Sequence, residues 1–239
     1  MPISVRQISA NEYILVSDPS YFDLIQDVHF DPDFLAENGM VIKVQSGRGK
    51  VFFFQLSDNQ LVLRHYRRGG LVAKFSEDKF IWQGIENTRA FKELYILNLI
   101  QKQDILAPQP VAAKVQKKGP FYTCDILTKA IPETKELHQV LQEQIFSSQG
   151  WIAIGKQIRR LHNANVWHPD LNVKNILIDK QEQVFLIDFD KCKVRNDGNW
   201  KSDNLARLQR SILKQKNQYP VYHFSDENWH SLLDGYAKN

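Results

Sequence analysis

Apolar positions along this chain follow two different periods. Up to about residue 128 they fall in short runs of strand length. Met40–Val44 and Lys50–Leu56 flank the glycine-bearing turn Ser46-Gly47-Arg48-Gly49, and Gln60–Tyr66 follows the polar turn Ser57-Asp58-Asn59. Arg67-Arg68-Gly69-Gly70 then breaks the strand pattern. From Glu86 to about Gln101 the spacing changes, with Phe91, Leu94, Leu97 and Ile100 on one helical face. Val111–Val115 and Phe121–Thr128 return to strand, and Ile131-Pro132 marks the crossing into a second half. There Trp151, Ile154, Ile158 and Leu161 recur at i, i+3, i+7 and i+10, one face of a helix ending near Asn163. A loop over 166–175 follows, then two short strands, Ile176–Asp179 and Val184–Ile187, joined by a polar turn.

This pattern predicts an α+β fold of two lobes with a cleft between them. Residues 1–128 supply an antiparallel five-stranded sheet with one helix. Residues 129–239 supply a reduced, mostly helical lobe carrying a short hairpin. Trp151 and the phenylalanines at 52–54 read as core.

Composition narrows the picture further. A chain of 239 residues buries roughly 70% of the surface its unfolded form exposes, ample for a real core. Cys124 and Cys192 lie far apart and neither belongs to a C-x-x-C pair, which argues against a disulfide scaffold or zinc ribbon and for a reducing compartment. No export signal is expected from the opening MPISVRQISANEY, and no apolar run approaches the roughly 20 residues of a membrane span. The net charge of +4 is mild, and no nucleic-acid-reading motif accompanies it, so no nucleic-acid partner is expected. Its distribution says more. Lys191, Lys193, Arg195, Lys201, Arg207, Arg210, Lys214 and Lys216 face only Asp197 and Asp203 in that stretch, an excess that attracts a phosphorylated or anionic partner.

The chemistry is concentrated in His168-Pro169-Asp170-Leu171-Asn172-Val173-Lys174-Asn175 and in Leu186-Ile187-Asp188-Phe189-Asp190. Phosphoryl transfer requires a carboxylate near the acceptor hydroxyl and oxygen ligands that hold magnesium against the phosphates of ATP. H-x-D-x-x-x-x-N supplies a carboxylate and an amide from one short loop, and Asp188 supplies a second carboxylate at the end of an apolar strand. Asn175 follows Asp170 by five positions and Asp188 follows Asn175 by thirteen, the spacing of the catalytic loop and metal motif of the protein-kinase-like superfamily. His168 is expected to stabilise the loop rather than to perform chemistry.

Over nearly its full length the chain resembles the Gram-negative lipopolysaccharide-core kinases, and among them the 3-deoxy-D-manno-octulosonic acid (Kdo) kinases. Besides the catalytic loop, the resemblance rests on Val62-Leu63-Arg64-His65-Tyr66-Arg67-Arg68-Gly69-Gly70, Gly47-Arg48-Gly49, Cys124-Asp125-Ile126-Leu127-Thr128 and Asp188-Phe189-Asp190-Lys191-Cys192. It implies a two-lobed protein-kinase-like fold, with Asp170 orienting the acceptor hydroxyl and taking its proton, and Asn175 and Asp188 binding Mg2+. It implies that Gly47 and Gly49 bring backbone N–H groups close to the phosphates. Arg64 would contact the α- and β-phosphates with Glu93 as its partner, and the backbone of Lys129, Ala130 and Ile131 would meet the adenine edge. The implied reaction moves the γ-phosphoryl group of ATP to the 4-hydroxyl of Kdo on a lipid A precursor. Its implied place is peripheral, on the anionic cytoplasmic side of the inner membrane. Arg67, Arg68, Lys191, Arg207 and Arg210 are the bases expected to meet the acceptor.

Three departures bear on that reading. Arginine stands at 64 where relatives carry a lysine, which leaves Lys74 as a rival for the phosphate contact. Asn172 stands two places after Asp170, where protein kinases carry a lysine. Asp190 replaces the glycine of the usual D-F-G, which weakens the case for a flipping activation switch. Only 51 residues follow Asp188 and none spell A-P-E, so a peptide acceptor is disfavoured. Leu205, Leu208 and Ile212 form one helix face with Arg207, Arg210 and Lys214 roughly opposite, a basic stripe suited to lipid phosphates or an anionic membrane. A core heptose kinase and a nucleotide-binding pseudokinase are the competing readings.

Overall fold

The computed structural model describes residues 3–46, 49–68 and 78–237. Gly47, Arg48, Gly69, Gly70 and Lys74, singled out above, lie outside the described residues. The chain forms two compact units, Met1–Asn98 with Gln109–Ala130, and Leu99–Pro108 with Ile131–Asn239.

The first unit is built on an antiparallel sheet of eight strands: β1 (Ser4–Ser9), β2 (Glu12–Val16), β3 (Val41–Ser46), β4 (Lys50–Leu56), β5 (Asn59–His65), β6 (Phe80–Ile81), β7 (Pro110–Lys118) and β8 (Phe121–Lys129). Their order is β1-β2-β7-β8-β5-β4-β3, and β6 pairs with β8. All five strands expected from sequence belong to it, and β1, β2 and β6 join them. β1 is exposed at nearly every position, so it lacks the apolar alternation that betrays a half-buried strand. Helix α1 (Pro32–Glu37) starts on Asp31, whose side chain accepts from the Asp33 N–H, with Pro32 in the first turn.

The period of two along a strand assigns each side chain a face. On β5, Leu61 and Leu63 join a core of Ile14, Val16, Phe54, Leu56 and Leu127, which the Tyr21, Ile25, Phe30 and Leu35 side chains complete. Arg64 and Tyr66 alternate with them and meet α2 (Arg89–Gln101). That helix begins three residues later than its apolar spacing suggested. A 3-10 turn covers Ile85–Asn87, and Thr88 Oγ1 accepts from the Phe91 N–H at 3.3 Å.

The second unit holds α3 (Leu137–Glu143), α4 (Ser148–Asn163), α5 (Trp200–Lys216) and α6 (Asp226–Ala237). A three-stranded sheet places β11 (Ile176–Ile178) between β12 (Val184–Leu186) and β9 (Lys135–Glu136), and β10 (Val166–Trp167) pairs with β13 (Lys193–Val194). The anticipated stripe of α4, Trp151, Ile154, Ile158 and Leu161, is completely buried.

α4 and α6 pack through two glycines. A Cβ placed on Gly155 would lie 2.0 Å from the Leu232 carbonyl oxygen, and one on Gly235 would lie 2.1 Å from that of Ile152. Both obstacles are backbone, so neither can swing aside. Gly155→Ala is therefore expected to destabilise the protein by about 3 kcal/mol, at the upper end of overpacking costs. Urea unfolding monitored by circular dichroism would measure this, and an unchanged midpoint would contradict the close approach.

Candidate active site

In the first unit, β5 and α2 present an ion pair. Arg64 Nη2 donates to Glu93 Oε1 at 2.5 Å and to Oε2 at 2.7 Å, and the Tyr66 hydroxyl donates to Glu93 Oε2 at 2.6 Å. Glu93 is only 4% exposed, so its charge depends on these donors. The Arg64 guanidinium also lies 4.9 Å from the Tyr66 ring centroid. Burial, followed by the Glu93 charge, raises the Tyr66 pKa and keeps the phenol a hydrogen-bond donor.

The other residues expected here differ in their surroundings. A Cβ on Gly49 would lie 3.2 Å from Arg67 Cδ, so the missing side chain makes room for the Arg67 stem. Arg68 stacks over Phe80 at 5.3 Å from the ring centroid. The Lys129 N–H donates to the Gln109 carbonyl and the Ala130 N–H to the Gln60 carbonyl, both at 2.9 Å. The Lys129 and Ala130 N–H groups of the backbone expected to meet an adenine edge are therefore already engaged. Ile131 is half-buried, and its carbonyl accepts from Thr134 Oγ1 at 3.4 Å.

In the second unit the catalytic loop runs from β10 to β11, closed by a 3-10 turn over Val173–Asn175 that Asn172 caps with its side chain. The backbone carbonyl of Asp170 accepts from Asn172 Nδ2 at 2.9 Å and from Asn175 Nδ2 at 2.8 Å. With its amide nitrogen fixed in this way, Asn175 presents its amide oxygen in a defined direction. The Ile187 N–H donates to the Asn175 carbonyl at 3.0 Å, extending the β11–β12 pairing by one step and placing Asp188 just beyond it. Asp188 has φ +66°, a left-handed conformation that a non-glycine residue holds only when its surroundings impose it.

His168 ties these pieces together. It is completely buried, and its Nε2 lies 3.0 Å from the Ile187 carbonyl oxygen. Burial lowers its pKa, so the ring is neutral and Nε2–H is the donor. Its ring packs on Phe189 at 5.3 Å between centroids. The expected structural role for His168 matches this environment.

α5 grips the same loop. Asn204 Nδ2 donates to the His168 carbonyl at 3.0 Å, while its Oδ1 accepts from the His168 N–H at 3.3 Å. Arg207 Nη2 donates to Asp170 Oδ1 at 2.5 Å, and Ser211 Oγ accepts from the Val173 N–H at 3.1 Å. Arg207 therefore does more than stand on a solvent stripe, because it engages the Asp170 carboxylate. Burial raises the Asp170 pKa, but the Arg207 hydrogen bond and charge, with help from Asn172, outweigh it and hold the carboxyl below its ordinary range. Lys191 and Arg210 are exposed. The sequence reading missed Asn204 and Ser211, whose only signal was their i, i+3, i+7 spacing with Arg207.

Asn175 and Asp188 offer hard oxygen donors of the kind magnesium takes, and Mg2+ commonly uses one or two protein ligands beside phosphate and water. Among the described residues no group of three or more His, Cys, Asp or Glu forms a metal cage.

The sequence pattern of the lipopolysaccharide kinase (Kdo/WaaP) family matches residues 32–236. The chain belongs to this family. The matched Kdo/WaaP region contains the Arg64–Glu93 pair, the catalytic loop, Asp188 and the gripping face of α5. The chain is similar to the 3-deoxy-D-manno-octulosonic acid kinase of Vibrio cholerae, 44% identical over 185 residues, or 77% of this chain and 79% of that protein. It is 39% identical over 219 residues to the kinase of the same name from Photobacterium profundum, covering 92% of each. A third, from Actinobacillus succinogenes, is 39% identical over 214 residues, 87% of this chain and 89% of its relative.

Asn204 also holds His162, whose Nε2 lies 3.3 Å from Asn204 Oδ1 and whose Nδ1 lies 2.8 Å from the Tyr236 hydroxyl. Burial lowers the His162 pKa to about 4. The unfolded chain takes up this proton near pH 6.5 and the folded one does not, so the contribution to stability is complete above pH 6.5 and is lost as pH falls toward 4. Denaturant titrations at pH 7.5 and 4.5 are expected to show a loss of roughly 2.5 kcal/mol from this residue. His162→Phe should flatten the profile accordingly, and an equal pH dependence in both proteins would contradict the assignment.

Proposed function

We propose that this protein transfers the γ-phosphoryl group of ATP to the 4-hydroxyl of a Kdo residue on a lipid A precursor, in assembly of the lipopolysaccharide inner core. The support is the combination of a family match over most of the chain, relatives named Kdo kinase, and a loop in which Asn175 is bonded to both Asp170 and the strand leading to Asp188.

In this reading Asp170 orients the acceptor hydroxyl and takes its proton as the acceptor oxygen bonds to the γ-phosphorus. The bond from that phosphorus to the bridging oxygen breaks, and ADP leaves with the electron pair. Asn175 and Asp188 would hold Mg2+, which when bound neutralises charge on the β- and γ-phosphates. Arg64, fixed by Glu93 and Tyr66, would contact the α- and β-phosphates. Gly47 and Gly49 would admit the phosphates to the backbone. With the Lys129 and Ala130 amides engaged, the adenine edge would meet their carbonyls and the Ile131 backbone. Arg67, Arg68, Lys191 and Arg210 would attract the acceptor's carboxylate and phosphates.

No helix among the described residues is long and apolar enough to cross a membrane. A lipid-borne acceptor, together with the exposed bases Lys191, Arg210, Lys214 and Lys216, favours peripheral association with the anionic cytoplasmic face of the inner membrane.

Mass spectrometry of Kdo-bearing and heptose-bearing acceptors after incubation with ATP and magnesium tests the reading. Phosphate is expected on Kdo alone, and phosphate confined to heptose would reject the assignment. Asp170→Ala is expected to lower turnover at least roughly a hundredfold while ATP still binds, as loss of a general base does. Rates from a coupled ADP assay and affinity from calorimetry would check this.

A further inference from the structure

We propose that Arg207 is a positioning residue for phosphoryl transfer, clamping one oxygen of the Asp170 carboxylate from α5 and supplying the cation that the catalytic loop lacks at Asn172. This rests on the kinase reading above and assigns Arg207 a role in the chemical step.

The helix geometry carries the inference. Asn204, Arg207 and Ser211 stand at i, i+3 and i+7 on α5, hence on one face. They bind three successive points of the loop, His168, Asp170 and Val173. Asn204 and Ser211 bond to the backbone and fix where the loop runs. Of these three, Arg207 is the one whose partner in the loop is a side chain, at 2.5 Å, and that side chain is the carboxylate expected to face the acceptor. Asn204 is only 2% exposed, so the helix has little freedom to slide or rotate relative to the loop. The Arg207 head is thereby delivered with fixed register, although it remains 46% exposed.

A cation here suits the transition state. Negative charge spreads over the γ-phosphoryl oxygens beside Asp170, and a carboxylate left alone would repel it. A guanidinium on Asp170 offsets this repulsion and restricts the carboxylate to one rotamer. Because the phosphoryl transition state is loose, the acceptor proton departs late and alignment matters more than basicity.

Steady-state kinetics of Arg207→Gln with ATP and a Kdo-bearing acceptor test the proposal, with Arg207→Met measured beside it so that the result does not depend on one variant folding. Either folded variant is expected to lose roughly 10- to 100-fold in kcat, the scale of a mispositioned reacting group. KM for both substrates should stay within about threefold and the melting temperature within a few degrees, and Arg207→Lys should recover much of the loss because it keeps the charge. Wild-type kcat in a folded Gln or Met variant would overturn the proposal. So would a rise confined to the acceptor KM, which would return Arg207 to substrate binding. A wild-type protein that phosphorylates no Kdo acceptor would instead sink the kinase reading, and this inference with it.

Discussion

The chain between His168 and Asn175 has almost no ladder of its own, and its buried backbone groups still need partners. Side chains supply them. Asn204 satisfies both backbone groups of His168, Ser211 takes the Val173 N–H, and Asn172 and Asn175 converge on the Asp170 carbonyl. Small polar residues are well suited to such local competition with regular structure. Without this side-chain scaffolding the two carboxylates and the amide would have no fixed relation to one another. The neutral state of His162 and His168 belongs to the same constraint. Each ring must offer one donor nitrogen in a place where a charged imidazolium would be poorly solvated.

The first unit solves a different problem, how to hold an arginine on a sheet without burying it unpaired. β5 alternates leucines into one core with Arg64 and Tyr66 on the face toward α2. Glu93 receives donors from both, so the carboxylate is satisfied and the arginine is fixed by something more rigid than a surface contact.

What could be read in advance was what the chain encodes locally. β4, β5, β7 and β8 each bury alternate or continuous apolar positions, and α4 carries a full apolar stripe, so their patterns announce them, whereas β3 shows its apolar alternation although it is exposed beyond Val41. β1 is exposed almost throughout and β6 is two residues long, so neither has a period to detect. Asp170, Asn175 and Asp188 were visible because their spacing is short and fixed by one loop and one hairpin. Arg207 was visible as a charge, but its partner was not. Asn204 is buried on α5 together with Trp200, Leu208 and Ile212, and a line of small polar residues looks like surface until that burial is known. The glycine contact of α4 with α6 was hidden for the opposite reason, since it depends on atoms that are missing.

The hydrogen bond from His168 to Ile187 and the backbone bond from Ile187 to Asn175 make the loop and the end of β12 a single piece. Swinging Asp188 away would break both bonds and release a left-handed residue that is followed by Asp190, not by a glycine able to absorb the turn. A segment so joined carries the left-handed residue and the loop as one body, so a change in either is felt by the other.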